Sequence, residues 1–243
     1  MTKKITKLML NGEEYEIREY QEWWWQPWAN TIAYYPLDST NTVNDLSGNS
    51  NTLTNVWVNF TTYNGVSCAR ITWNADNPHN PTAYLYWNIS WLPTWANPRT
   101  YNLWIYQDNA ASSRNATYIF QWTASSNRMV YVAQWIDASG NAFISQYGSS
   151  SSNTPPTIWQ RHNIVVVYNW SKFVYYVNAV EKFSWTYTIN TSGNNVSIWW
   201  TSENQGWNSF NWAFSNVILE DKAWTVQEVS DYFNQTKWDY WIS

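Results

Sequence analysis

Short runs of β-branched and aromatic residues recur along the chain, separated by clusters of Asn, Asp, Ser, Pro and Gly. The clearest is Asn163-Ile-Val-Val-Val-Tyr168. A continuous run of that kind predicts a strand buried on both faces. Lys172-Phe-Val-Tyr-Tyr-Val177 alternates, and Val180-Glu-Lys-Phe183 predicts a third short strand close behind. Upstream, strand-like runs fall at 32–37, 52–54, 56–61, 66–73, 83–87, 100–106, 117–122, 129–135 and 142–146. Downstream they fall at 186–190, 196–199 and 210–220. Many short strands with turn signals between them predict an all-β, two-sheet antiparallel jelly-roll sandwich. One helix is predicted at the C-terminal end. Thr225-Val-Gln-Glu228 has capping-box spacing, and Val226, Val229 and Phe233 make one apolar stripe that reads as core packing. At the other end, Ile5–Leu10 and Glu14–Tyr20 flank Asn11-Gly12, the strongest short hairpin signal. A lone two-stranded hairpin is marginal in water, so this piece is expected to dock on something else. The chain thus divides into a docking hairpin (1–22), a linker (23–30) and the sandwich (31–243).

The turns between the central strands break the usual chemistry. Two strands joined through two residues need a type I′ or II′ turn, whose positive φ values favour Asn-Gly. The second residue is Trp170 in one turn and Ala179 in the other. The chain has 22 Trp and only 7 Gly in 243 residues. Ordinary usage, roughly 7% Gly, would supply about ten more. The excess Trp stands where glycine chemistry belongs: Trp23, Trp24, Trp25 and Trp28 in the linker, Trp95, Trp199-Trp200, Trp212, Trp238 and Trp241. This pattern predicts UGA codons intended as glycine and translated as tryptophan. The competing reading is a Trp-rich aromatic binder.

Charge and length narrow the function classes. Formal net charge is −4 with 12% charged residues and no basic block, which argues against a nucleic-acid partner. No apolar run approaches the ~20 residues of a membrane span, so no membrane insertion is expected. The N-terminal lysines are not followed by the apolar stretch of a Sec signal, because Asn11-Gly12-Glu13-Glu14 interrupts it. The single cysteine, Cys68, excludes an internal disulfide and reads as a small buried residue.

Taken in order, several segments resemble the laminin-G-like, concanavalin-A-like lectin jelly rolls over roughly residues 31–236. They are Ile32-Ala-Tyr-Tyr-Pro-Leu-Asp38, Asp45-Leu-Ser-Gly-Asn49, Arg99-Thr-Tyr-Asn-Leu-Trp104, Gln160-Arg-His-Asn-Ile-Val-Val-Val-Tyr168 and Phe173-Val-Tyr-Tyr-Val-Asn178. Val196-Ser-Ile-Trp-Trp200, Phe210-Asn-Trp-Ala-Phe214 and Asp221–Val229 complete the series. Trp stands where the family has Gly at 170, 199, 200 and 212, as the codon reading predicts. Arg161 stands where the family more often has Trp. The N-terminal hairpin lies outside that resemblance and is more similar to the attachment segment of a virion tail or tail-fibre protein.

The resemblance implies a structural Ca²⁺ at the sandwich rim, with Asp38 and Asp45 as carboxylate ligands and Asn49 as a carbonyl donor. Calcium takes oxygen ligands of that kind. The alternative is that Asp45 only caps its loop through the Ser47 or Gly48 amides. Sugar binding needs aromatic faces and planar polar side chains at a rim or concave face. The candidates are Tyr106, Gln107, Asp108, Asn109, Arg128, Tyr147 and Asn204. Hydrolysis would need two carboxylates flanking one bond. The family glucanase pattern Glu-x-Asp-x-x-Glu does not occur, and the adjacent Glu220 and Asp221 would face opposite sides of a strand. His79 lies in a Pro/Asn loop with no metal-like partner spaced near it. His162, at a strand start, reads as a packed or edge residue.

The sequence therefore reads as a non-catalytic carbohydrate- or receptor-binding adhesion module, extracellular or on a phage virion. Residues 1–22 would make a homo-oligomer or virion contact. The alternatives are a structural decoration domain without a ligand and, less consistent with the residues, a glycoside hydrolase.

Overall fold

A computed structural model of the chain describes residues 5–10, 13–18, 28–40, 43–71, 83–89, 92–94, 96–107, 116–122, 130–136, 142–145, 151–152, 157, 159–186, 188–191, 195–198 and 212–240. The strands are β1 (Ile5–Leu10), β2 (Glu13–Arg18), β3 (Thr31–Tyr35), β4 (Thr54–Val56), β5 (Asn59–Tyr63), β6 (Val66–Ile71), β7 (Tyr84–Asn88), β8 (Arg99–Gln107) and β9 (Ala116–Trp122). They continue with β10 (Val130–Ile136), β11 (Ala142–Ser145), β12 (Ser151–Ser152), β13 (Arg161–Tyr168), β14 (Lys172–Val177), β15 (Val180–Thr186), β16 (Asn195–Ile198) and β17 (Trp212–Glu220). Helix α1 (Val226–Thr236) and a 3-10 turn at Lys237–Tyr240 follow. The N-terminal segment forms the expected hairpin, β1 paired antiparallel with β2 as a separate two-stranded sheet.

Every described strand pair is antiparallel. One sheet runs β12-β11-β10-β9-β16-β7-β4, and the other β15-β14-β13-β8-β17-β6-β5. Strand β3 pairs with the C-terminal half of β17, and β6 pairs with its N-terminal half. The register of β17 against β8 shifts between Ser215 and Ile218. Asn216 sits there at φ 47° and donates its amide to Pro36 O. Residues 186–190, read from sequence as a strand, extend β15 only through Thr186. Residues 188–190 are irregular, and Ile189 is buried with its amide bonded to Tyr168 Oη at 3.0 Å. An isolated Ile-flanked run can fill a core position without joining a ladder.

The core between the sheets takes alternate residues from each strand, as a two-residue period requires. Strand β13 contributes Ile164, Val166 and Tyr168, β8 contributes Tyr101, Leu103 and Ile105, and the facing sheet contributes Leu85, Trp87, Val196 and Ile198. One polar group crosses this layer. Gln121 Oε1 accepts from Arg99 Nη1 at 3.0 Å and from Tyr101 Oη, while its Nε2 donates to Pro93 O at 3.0 Å. Satisfied on both ends, the amide ties β9 to β8 at little desolvation cost.

Strand β13 is buried on both faces because a third layer covers the sheet. Val165, Val167, Val174, Tyr176 and Ile218 point outward onto Val229, Tyr232 and Tyr240. Thr225 Oγ1 accepts from the Glu228 amide at 3.2 Å, and Glu228 Oε2 accepts from the Thr225 amide at 2.8 Å, closing the capping box read from sequence. The Trp104 ring stacks on Tyr240 (centroids 4.1 Å apart) and more distantly on Phe233 (5.9 Å). Trp28 packs against Trp224 at 4.9 Å, and the Thr31 amide bonds Trp28 O, so residues 28–30 are held on this layer.

The turns bear out the conformational reading at the central hairpins. Asn178 and Ala179 both have positive φ, 51° and 60°, between the paired Val177 and Val180. Trp170 has φ 68°. A side chain in that left-handed region costs about 1–2 kcal/mol. Trp212 corrects the expectation. It lies within β17, outside the positive-φ set, and its indole is 2% exposed in the inter-sheet core. The backbone there does not require glycine. Trp199 and Trp200 lie outside the described residues.

Candidate functional site

Strand register brings four residues into one row on the outer face of the helix-covered sheet. Arg161 on β13 pairs with Tyr106 on β8. Tyr106 pairs with Ala213 on β17, and Ala213 pairs with Arg70 on β6. Residues directly opposite one another in antiparallel strands share a face. Tyr106 lies two positions beyond Trp104, so the row is on the face where α1 packs. With strands about 4.8 Å apart, the two arginines sit roughly 14 Å apart along the row. Ala213 is the small member, and the gap above it is filled from β5. Tyr63 packs on the cluster of Cys68, Tyr106 and Ala213, its ring 5.5 Å from Tyr106 and edge-on.

Both guanidinium groups lie against these rings. Arg70 is 3.5 Å from the Tyr63 ring centroid, and Arg161 is 5.3 Å from that of Tyr106. Such placements attract a cation to the ring face. Arg161 Nη2 also donates to Tyr63 O at 2.5 Å and Asn64 O at 3.3 Å, closing the β5–β6 turn onto β13. Burial lowers the Arg161 pKa. Among the described residues, the other groups acting on it are Cys68, Tyr240, Tyr106 and Tyr63, with no carboxylate among them. Cys68 is fully buried as expected, and burial raises its thiol pKa against the opposing pull of Arg161 and Arg70. The result is two half-buried guanidinium groups gathered with two phenol rings on one face of the sheet. Guanidinium forks bind carboxylate or sulfate oxygens, and phenol rings offer apolar faces.

Of the sugar-contact candidates, Tyr106 belongs to this row, where at 8% exposure it is the floor rather than the surface. Gln107 is the last residue of β8 and pairs with Trp212. Asp108, Asn109, Arg128, Tyr147 and Asn204 lie outside the described residues. Tyr63, Arg70 and Arg161 were not picked out by sequence as site residues. Only Arg161 carried a signal, as the departure from the family pattern beside His162.

The calcium candidates are occupied by their own loops. Asp45 Oδ1 accepts from the Tyr34 and Ser47 amides at 3.0 and 2.8 Å, and its Oδ2 from Ser47 Oγ and the Asn51 amide, both at 2.9 Å. Asp38 Oδ1 accepts from Thr40 N and Oγ1, both at 2.7 Å. Asn49 uses its side chain as a donor, to Thr31 O at 2.8 Å and Ile32 O at 3.0 Å. Four donors on one carboxylate fill its lone-pair directions. At Asp45 this arrangement leaves no free lone pair for a calcium ion, and no cluster of three or more acidic, His or Cys side chains occurs among the described residues. Adding millimolar Ca²⁺ or EDTA is therefore expected to leave the melting temperature unchanged in differential scanning fluorimetry.

His162 is a packed residue. Its Nδ1 accepts from Asn178 Nδ2 at 3.2 Å, and its Nε2 lies 3.0 Å from Thr157 O, which requires a donor there. Burial lowers its pKa, with the Thr157 bond opposing and Lys182 assisting, so the ring holds the β14–β15 turn as a neutral group.

No protein-family model matches the chain, and no curated protein matches it. Solved structures do. The chain is similar in fold to neurotoxin binding domains. The botulinum neurotoxin serotype G binding domain is 14% identical and aligns over 85% of this chain and 51% of its own, with TM-score 0.60. The botulinum neurotoxin DC binding domain in complex with SialylT is 12% identical over 85% of this chain and 52% of its own, TM-score 0.62. The same domain in complex with rat synaptotagmin II is 11% identical over the same shares, TM-score 0.63. At these identities the likeness is one of fold. This chain spans about half the length of those structures. Among the described residues no helix is long and apolar enough to cross a membrane.

Proposed function

We propose that this chain is a non-catalytic recognition module of the laminin-G-like, concanavalin-A-like kind. It binds an acidic glycan, or a cell-surface receptor that carries one, through the outer-face row. The observation that carries the reading is Arg161, Tyr106, Ala213 and Arg70 in one cross-strand register, with Tyr63 lying over Ala213. A sugar carboxylate or sulfate would meet Arg70, while Tyr63 supplies an apolar face. Arg161 holds the β5–β6 turn and is the positioning member. Neighbours that share the fold include one solved with SialylT and one with rat synaptotagmin II, which supports the reading. Extracellular or virion-surface display, with residues 1–22 as the docking element, belongs to the same proposal. No hydrolytic step is assigned.

Arg70→Gln and Tyr63→Ala are each expected to weaken binding to sialylated or sulfated glycans by roughly tenfold, the scale of one charge-assisted contact. Binding to neutral glycans should not change. A glycan array followed by titration calorimetry measures this. Acidic-glycan binding that survives both substitutions sinks the proposal. The second reading, a structural decoration domain, rests on the hairpin being a sheet of its own. An absence of glycan binding, together with loss of a homo-oligomer on removing residues 1–22, favours it.

A further inference from the structure

Two groups of tryptophans among the described residues stand in different physical circumstances. Trp87, Trp104 and Trp224 are 3% exposed or less and make ring contacts: Trp87 with Tyr35 at 5.1 Å, Trp104 with Tyr240 and Trp224 with Tyr232. Trp57, Trp159 and Trp170 have φ of 57°, 64° and 68°, and their side chains are 85%, 60% and 61% exposed. Such an indole pays the left-handed steric penalty and gains little burial in return.

Of the other non-glycine residues at positive φ, Ser50 and Ala179 carry small side chains. Asn64, Asn178 and Asn216 are of the type that tolerates this region. Leu37 is fully buried, so packing offsets its strain. At Trp57 and Trp170 it is the neighbouring backbone and side chains that shape the turn. Asn55 Oδ1 accepts from the Val58 amide at 2.8 Å, and its Nδ2 donates to Val58 O at 3.0 Å, spanning Trp57. Around Trp170, the Asn169 amide donates to Lys172 O at 3.1 Å, and Tyr168 Oη donates to Trp170 O at 2.7 Å. The indoles take no part in any of these bonds.

We infer that positions 57, 159 and 170 are glycine in the protein as its own cell makes it, encoded by UGA and read there by a glycine-carrying tRNA. Positions 87, 104 and 224 are genuine tryptophan. UGA and the tryptophan codon UGG differ in one base, so a reader that assigns UGA to tryptophan produces the surplus of Trp and the deficit of Gly together. Trp57 and Trp159 are assigned here by geometry alone. They lie outside the motif positions that suggest glycine at 170.

The coding DNA tests the inference first. UGA is expected at 57, 159 and 170 and UGG at 87, 104 and 224, with glycine at the first three in peptide mass spectra of protein from the native source. UGG at any of the first three, or tryptophan in those native peptides, overturns it. A second measurement uses recombinant protein of the sequence as written. The triple variant Trp57→Gly, Trp159→Gly, Trp170→Gly should melt higher by roughly 2–4 °C per position, whereas Trp224→Gly should melt lower. An unchanged or lower melting temperature in the triple variant also overturns the inference.

Discussion

Replacing Glu220 with glutamine is expected to raise the melting temperature at pH 8 and to remove most of its fall between pH 5 and pH 8. Glu220 ends β17 and is 1% exposed. Its Oε1 accepts from Thr31 Oγ1 at 2.5 Å, the residue that opens β3. Burial pushes its pKa up from 4.5 to about 7, with Asp221 adding to the rise. The Thr31 hydroxyl, the Trp224 indole and Lys222 oppose it. A carboxyl whose folded pKa exceeds its unfolded value contributes its full stability below about pH 4.5. That contribution is lost as pH rises through about 7. The gap corresponds to about 3 kcal/mol at most, at 1.36 kcal/mol per unit. Glutamine keeps an acceptor for Thr31 and carries no charge to desolvate. Melting curves of both proteins across that range check this, and parallel pH profiles would show that Glu220 is not the titrating group.

Trp104→Ala should cost about 3–5 kcal/mol, as for large aromatic truncations in a core. The ring is 1% exposed and stacks under Tyr240 and Phe233, so it joins β8 to the helical layer. Removing it leaves a cavity between two rigid elements that cannot close independently. Urea denaturation should show a much lower midpoint, and amide exchange should quicken along α1. Trp238→Ala, at a residue 57% exposed, is the control and should shift stability by less than about 0.5 kcal/mol. Equal effects of the two substitutions would show that the helical layer does not depend on Trp104.

The helix shows why some elements were legible. The Thr225 to Glu228 box is a local signal four residues long, and the hydrogen bonds it predicts form within the same turn. The Asn178-Ala179 turn is legible for the same reason, since a two-residue connection dictates its own φ values. At Trp212 the motif points to glycine, because a motif comparison cannot see that the position faces the inter-sheet core. The Asp45 loop was ambiguous in sequence because carboxylates near Asn and Ser suit either a cation or the amides of their own loop. The Tyr34 and Asn51 amides, brought in from outside the turn, both donate to Asp45, which suits the second.

By itself, then, the sequence determined the strand-rich class, the capped helix, the hairpin at the N-terminus and the turns that demand left-handed backbone. Each is set by neighbours within a few residues. The tertiary structure alone decided what shares a surface. Arg161 and Tyr63 are 98 residues apart in sequence, and they meet only because β5, β6, β17, β8 and β13 lie side by side in one register. A shift of one residue in any of those strands would turn that strand's contribution to the row to the opposite face. The candidate site is thus a property of strand pairing, and no local pattern encodes it.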